Sequence, residues 1–279
     1  MRLAYQTNTW GGVVGHPVGV TSIKDLYYLA NGSTEDALRD IATAGYEGVE
    51  LFDGNLMQYA DAPADFSALL ENGGLSLVGV YSGANFIFPD VLPEELWRIE
   101  NAARVGSELG AEFLVVGGGA QRTTAVTDAD YDNLGAGLDA VVEIAERHGL
   151  AATYHPHLST IVETPDQVDK ILERTSIGLC PDTGHVIAGG GDPAELISRH
   201  AARIPYVHLK DIDTETGSFV PLGQGALDVD GVMGALTAAG YDGWITVELD
   251  AWDDPLAGAA ASHRRLEPHL AGASNVGQG

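Results

Sequence analysis

Four apolar runs in this chain each end in a side chain able to bind a divalent metal. Residues 149–154 lead into His155, 177–181 into Asp182, 204–207 into His208 and 244–247 into Glu248. A charged or half-charged group inside an apolar β run is costly unless it is paired or holds an ion. Each residue alone has an ordinary structural reading; Asp182 in "CPDTGH", for example, suits the cap of a following turn. Taken together, two imidazoles and two carboxylates at the same place on their runs make a ligand set for one cation. Manganese suits such a mixed set best, and cobalt, magnesium or zinc also fit.

Other polar residues fall on the same side of these runs. His157 lies two residues beyond His155, so an extended backbone puts both imidazoles on one face, either as ligand and substrate contact or as a stacked core pair. Lys210 stands in the same relation to His208, as a proton donor, a carbonyl polariser or a plain salt-bridge partner of Asp211 or Asp213. His185, three residues past Asp182, reads as a support of the site, a substrate contact or a loop histidine. Glu50 ends the run in "GVELFDG", where it would orient a sugar hydroxyl or form an ion pair. Asn8, Trp10, His16 and Tyr81 are expected around the same mouth, with Trp10 the natural platform for a sugar ring. The run Gly117-Gly118-Gly119 lacks both the Gly-Lys-Ser/Thr ending of a P-loop and the dinucleotide pattern, so it reads as room for a close backbone approach. Nothing around Cys180 would form a thiolate.

The elements that must position these residues alternate. Short β-branched runs near 2–8, 47–52, 75–81, 112–117, 150–155, 176–181, 204–209 and 243–249 predict strands. Amphipathic segments near 34–45, 63–73, 93–109, 127–148, 164–174, 192–201, 228–239 and 255–269 predict helices between them. Ser33 and Thr164-Pro165 supply N-terminal signals, while Gly45, Gly149 and Gly240 stand where left-handed caps are expected. The phrases "AGYEGVEL" (44–51) and "AGYDGWITVEL" (239–249) are near copies of one helix end, turn and strand. This pattern gives an α/β protein with a single (β/α)8 barrel over 1–270 and a flexible tail over 271–279. Two long connections, 11–32 and 211–228, should fold over the C-terminal mouth, where barrel enzymes keep their chemistry.

Composition narrows the partners. At 279 residues the chain is close to the size of about 250 typical of such a barrel. Fourteen Lys+Arg against 40 Asp+Glu give a net charge of -26, which argues against nucleic acid and anionic membrane as partners. A lone cysteine, no apolar N-terminal segment and no membrane-length run point to a cytoplasmic protein, and outward-facing apolar positions leave room for a homo-oligomer.

The phrases "YHPHLST" (154–160), "DTGHV" (182–186), "VHLKDID" (207–213) and "PLGQGALDVDGVMGALTAAGYDGWITVELD" (221–250) resemble the xylose-isomerase-like TIM barrels, a superfamily of sugar isomerases and epimerases that also includes endonuclease IV. They are most similar to the branch of inosose dehydratases and related keto-sugar dehydratases and lyases. The resemblance implies a divalent ion held by His155, Asp182, His208 and Glu248. It also implies chemistry on a keto-sugar or keto-polyol through an enediolate, with Glu248 or His155 as base and His157, Lys210 or His185 as acid. Epimerases of the superfamily carry a Glu where His155 stands, and use it with the eighth-strand Glu on opposite faces of the substrate. That difference favours β-elimination over isomerisation or epimerisation. A catalytically inert barrel subunit is the reading of another class, and it predicts an incomplete ligand set or a blocked mouth.

Overall fold

The computed structural model describes residues 1–11 and 27–270. Barrel strands are β1 (Arg2–Gln6), β2 (Gly48–Phe52), β3 (Ser76–Ala84), β4 (Phe113–Gly118), β5 (Ala151–His155), β6 (Gly178–Leu179), β7 (Val207–Leu209) and β10 (Trp244–Val247), with a small hairpin of β8 (Asp211–Asp213) and β9 (Ser218–Val220) after β7. The eight parallel strands run in the order β6-β5-β4-β3-β2-β1-β10-β7. The two ends meet at a parallel bridge between Asp182 and His208, where the His208 amide donates to the Pro181 carbonyl at 3.1 Å. The sheet is therefore a closed (β/α)8 TIM barrel.

The outer layer is α1 (Thr34–Thr43), α3 (Pro63–Gly73), α4 (Leu92–Glu108), α5 (Asp128–Arg147), α6 (Pro165–Leu172), α8 (Pro193–His200), α9 (Val229–Ala238) and α10 (Pro255–Leu270). Their starts use the expected devices. Ser33 accepts from the Asp36 amide, and Thr164 with Gln167 closes a capping box around Pro165. Two short helices at the mouth, α2 (Asp53–Met57) and α7 (Thr183–Ala188), were not foreseen, because five or six residues show no period.

Period-two alternation divides the core in two. Leu3, Tyr5, Val49, Leu51, Leu77, Val80, Leu114, Val116, Val207 and Leu209 face the helices. Ala4, Phe52, Val78, Phe113, Val115, Cys180, Tyr206 and Trp244 fill the barrel interior, with Phe113 and Tyr206 stacked at 4.5 Å. Arg2 lies over the Trp244 ring, 3.7 Å from its centroid, and the indole N–H donates to Glu112 at 2.8 Å. The interior is thus packed below the site, which leaves chemistry to the upper end.

The second long connection forms the β8–β9 hairpin and the "PLGQG" turn, wrapped around Asp211. Its carboxylate accepts from the amides of Ile212, Gly223, Gly225 and Leu227 at 2.8–2.9 Å. Most of the first long connection, with His16, and the tail 271–279 lie outside the described residues. Among the described residues no helix is long and apolar enough to cross a membrane.

Candidate metal centre

The same pleat that points Tyr206 into the barrel points His208 and Lys210 upward from it, and the other strands follow suit. His155 closes β5, Asp182 follows β6, His208 lies in β7 and Glu248 follows β10. One donor atom from each lies within 4.8 Å of the others, and all four residues are buried. His155 Nε2 is 3.4 Å from Asp182 Oδ2 and 3.7 Å from Glu248 Oε2, and His208 Nδ1 is 2.8 Å from Glu248 Oε2. Asp182 performs both roles read from the sequence: Oδ1 caps α7 by accepting from the His185 amide at 2.9 Å, and Oδ2 faces the cluster.

The donors fit a cation. His155 Nε2 and Asp182 Oδ2 are buried, face one another and have no hydrogen-bond partner, a cost that a shared ion removes. Charge points the same way: Glu50, Asp182 and Glu248 bring three buried carboxylates, Asp250 a fourth carboxyl that burial pushes up to about 7, and Lys210 brings one buried ammonium. Burial disfavours a charged His208, yet the Glu50 and Glu248 carboxylates beside it outweigh that and hold the imidazole's pKa well above its ordinary value. His155 is raised too, with Asp182 and Glu248 overcoming burial. Two imidazoles drawn toward a positive charge mark a site short of one.

Lys210 is fully buried and donates to Glu248 Oε1 at 2.9 Å and to Asp250 Oδ1 at 2.6 Å. Burial opposes its charge, but Asp250, Glu248 and Asp182 hold the ammonium protonated well above its usual range. Glu248, despite burial, is held well below the usual carboxylate range by Lys210, His155 and His208. Asn8 braces the pair, its amide 3.2 Å from Glu248 Oε1 and 3.3 Å from Asp250 Oδ1. Thr183 of α7 holds the Lys210 backbone on both sides, accepting from its N–H at 2.9 Å and donating to its carbonyl at 2.7 Å.

A family model described as "Xylose isomerase-like TIM barrel" matches residues 38–269. The chain belongs to that family. Among curated members, the inosose dehydratase of Geobacillus kaustophilus is 30% identical, over 81% of this chain and 83% of the relative. Among solved structures, the "probable 3-DHS dehydratase AsbF" of Bacillus anthracis superposes with a TM-score of 0.74 at 14% identity, covering 95% of this chain and 98% of that one. The IOLI protein, solved with a zinc atom, gives 0.73 at 17% identity, covering 98% of this chain and 99% of that one.

Within this xylose isomerase-like barrel, the remaining expected residues divide. His157 and His185 stand beside the cluster, with ring centroids 3.8 Å apart and 5.8 and 5.6 Å from His155. His157 Nδ1 is 2.7 Å from the Leu158 carbonyl, which leaves Nε2 as the acceptor, and burial with His155 and Lys210 pushes its pKa down to about 4. Both ring nitrogens of buried His185 are unpartnered, and burial with His157 and Lys210 holds its pKa well below the ordinary value. Tyr81 meets His155 edge-on at 5.3 Å. A Cβ on Gly117 would sit 2.2 Å from the Tyr81 hydroxyl, so the glycine run does provide a close approach.

One expectation needs correction. Trp10 is not a platform in the mouth: it packs edge-on against Tyr5 at 5.6 Å and donates its indole N–H to Asp40 of α1 at 2.9 Å. Of the two readings of Glu50 the ion pair is the one observed: it is fully buried with Oε2 3.1 Å from His208 Nε2. Lys210 pairs with Glu248 and Asp250, not with Asp211 or Asp213. Asp250 was missed, although the two-residue step linking His208 to Lys210 also links Glu248 to Asp250. The buried Asp53–Arg98 pair, 2.7 Å apart between α2 and α4, left no signal in the sequence.

Proposed function

We propose that this protein is a metal-dependent lyase that removes water, or another β-substituent, from a keto-polyol or keto-sugar. The observation that carries the reading is the meeting of His155, Asp182, His208 and Glu248, with two of their buried donor atoms facing each other unpartnered. The similarity to an inosose dehydratase supports elimination as the outcome. A complete ligand set speaks against an inert barrel, which is expected to lack one. His155 in place of a carboxylate speaks against epimerisation by two glutamates.

When bound, a divalent ion supplies Lewis acidity, drawing electrons from a substrate carbonyl so that the adjacent C–H becomes acidic. We assign manganese first, with zinc, cobalt and magnesium as competitors; the zinc in the IOLI structure supports the second. His157 is the base we favour, since a neutral imidazole with a free Nε2 can take a proton. Lys210 is held too firmly protonated to serve as an acid, and instead stabilises negative charge developing on substrate oxygen. Glu248, engaged by Lys210, Asn8 and His208, is a ligand and not the base. The C–H electrons form the new C=C bond as the β C–O bond breaks, and His157 returns its proton to the departing hydroxyl, so water leaves. His185 and Tyr81 line the substrate. We place the enzyme in the cytoplasm, with a small-molecule keto-sugar or keto-polyol as its partner.

Chelation should abolish turnover of inosose or a 3-keto-glucoside, and added metal should restore it. Asp182→Ala and His208→Ala should lose both ion and activity. Mass spectrometry separates loss of water, loss of an aglycone and no mass change. Retention of metal and activity by both variants, or substrates returned without elimination or solvent deuterium, would overturn the proposal.

A further inference from the structure

We propose that Glu50 is a positioning residue that fixes His208 as a metal ligand through Nδ1, by accepting the Nε2–H. The inference rests on the proposed metal centre, and three features of the fold carry it.

The first is the contact itself. Glu50 Oε2 is 3.1 Å from His208 Nε2, while His208 Nδ1 is turned to Glu248 Oε2 at 2.8 Å. A neutral imidazole carries one proton, so whichever nitrogen donates to a carboxylate leaves the other with the lone pair that a metal requires. Cys180, also beside His208, is a buried thiol and a poor acceptor by comparison. The second feature is the barrel wall. Register between β2 and β3 slips at this residue, from Val49↔Leu77 to Glu50↔Gly79. Leu77 and Val80 both face the helices while Val78 and Tyr81 both face the interior, so β3 holds one extra residue opposite Glu50. The third is the residue that the bulge leaves at this level. A Cβ on Gly79 would stand 2.9 Å from Glu50 Oε2, so a side chain there would press on the carboxylate.

A carboxylate fully buried with Oε1 unpartnered is expensive, and the fold has opened its wall to admit one. The echo noted in the sequence is then functional: "GYEGVEL" delivers Glu50 to one nitrogen of His208, and "GYDGWITVEL" delivers Glu248 to the other side.

The test uses zinc as a diamagnetic probe on the full chain. In zinc-loaded, 15N-labelled wild type, the two-bond imidazole spectrum should show His208 protonated at Nε2. By chelator competition, Glu50→Leu should weaken zinc binding about 10–100-fold, and Glu50→Gln, which keeps an acceptor oxygen, should lose less, about three- to tenfold. Circular dichroism checks folding, and if the Leu variant does not fold, the wild-type spectrum and Glu50→Gln decide. A proton on Nδ1 of zinc-bound His208 overturns the inference, and so does affinity within about twofold of wild type in every folded Glu50 variant. Asp182→Asn separates the two readings. Zinc binding that is lost in Asp182→Asn but kept in the Glu50 variants removes only the role of Glu50, whereas wild type that binds no zinc removes the centre and this inference with it.

Discussion

Lys210→Met tests the electrostatics of the site directly. The ammonium is fully buried, 2.9 Å from Glu248 and 2.6 Å from Asp250. At an effective dielectric near 20 each attraction is roughly 6 kcal/mol before desolvation is counted, and much of that is cancelled by the cost of burying the charges. Removing one partner leaves the other charges buried and uncompensated, a loss of about 3–5 kcal/mol, and Asp250, which burial already pushes up to about 7, takes up a proton and holds this variant toward the lower end. Urea denaturation in chelator should show that loss. Added divalent metal should recover part of it, because an ion compensates Glu248 but not Asp250. Lys210→Met combined with Asp250→Asn should recover at least about 1 kcal/mol relative to the single variant, because Asn is neutral without the proton that Asp250 must take up, with turnover still lost. A Lys210→Met protein within about 1 kcal/mol of wild type in chelator, or one showing no coupling to Asp250, would refute the buried-charge reasoning.

His157 has a folded pKa pushed down to about 4 from 6.5, so the unfolded chain binds the extra proton between those values. Its contribution is therefore present above pH 6.5 and lost as pH falls toward 4, on the order of 3 kcal/mol in total, and chelator-treated His157→Gln should be correspondingly less sensitive to acid in urea denaturation. Gly118→Ala should cost about 3 kcal/mol by thermal or urea denaturation, since φ is +137° and a Cβ would lie 1.9 Å from the Ala84 carbonyl oxygen. Trp10→Phe should lose about 1–2 kcal/mol with its bond to Asp40, yet leave kcat/KM within about twofold, whereas a sugar platform would raise KM sharply. In hydrogen exchange, zinc should protect the His208 amide at the β6–β7 seam more than the β3 and β4 amides across the barrel.

Architecture was legible because each layer writes its own period. Strand runs such as 112–117 and helix segments such as 63–73 fall within a residue or two of the observed elements, and the Ser33 and Thr164 caps stand where their side chains demanded. What the sequence concealed was local or nonlocal in specific ways. Tyr81 was expected at the mouth, but strict alternation from Leu77 would turn it toward the helices, and the slip opposite Glu50 that turns it toward His155 left no signal in the sequence. Arg98 and Asp53 are 45 residues apart on different helices, and no spacing announces that they meet. Trp10 was misread because an aromatic at a strand end suits either a mouth or a helix interface, and Asp40 supplied the partner that decided it.

The four candidate ligands were the most legible part of the proposed site for a reason tied to closure of the barrel. β6 and β7 are only two and three residues long, and they join at one bridge, between Asp182 and His208. So short a ladder contributes few backbone hydrogen bonds, and the seam relies more on what its side chains share. Those side chains cannot be apolar and also gather a cation, so the ends of the runs must turn abruptly from Leu, Val and Ile to imidazole and carboxylate. That break in an otherwise apolar run is visible without any structure. The candidate ligands' partners are less visible: Glu50, Lys210 and Asn8 were placed at the mouth by their strands but not paired, and Asp250, at the end of β10, looks like an ordinary polar residue until the barrel closes.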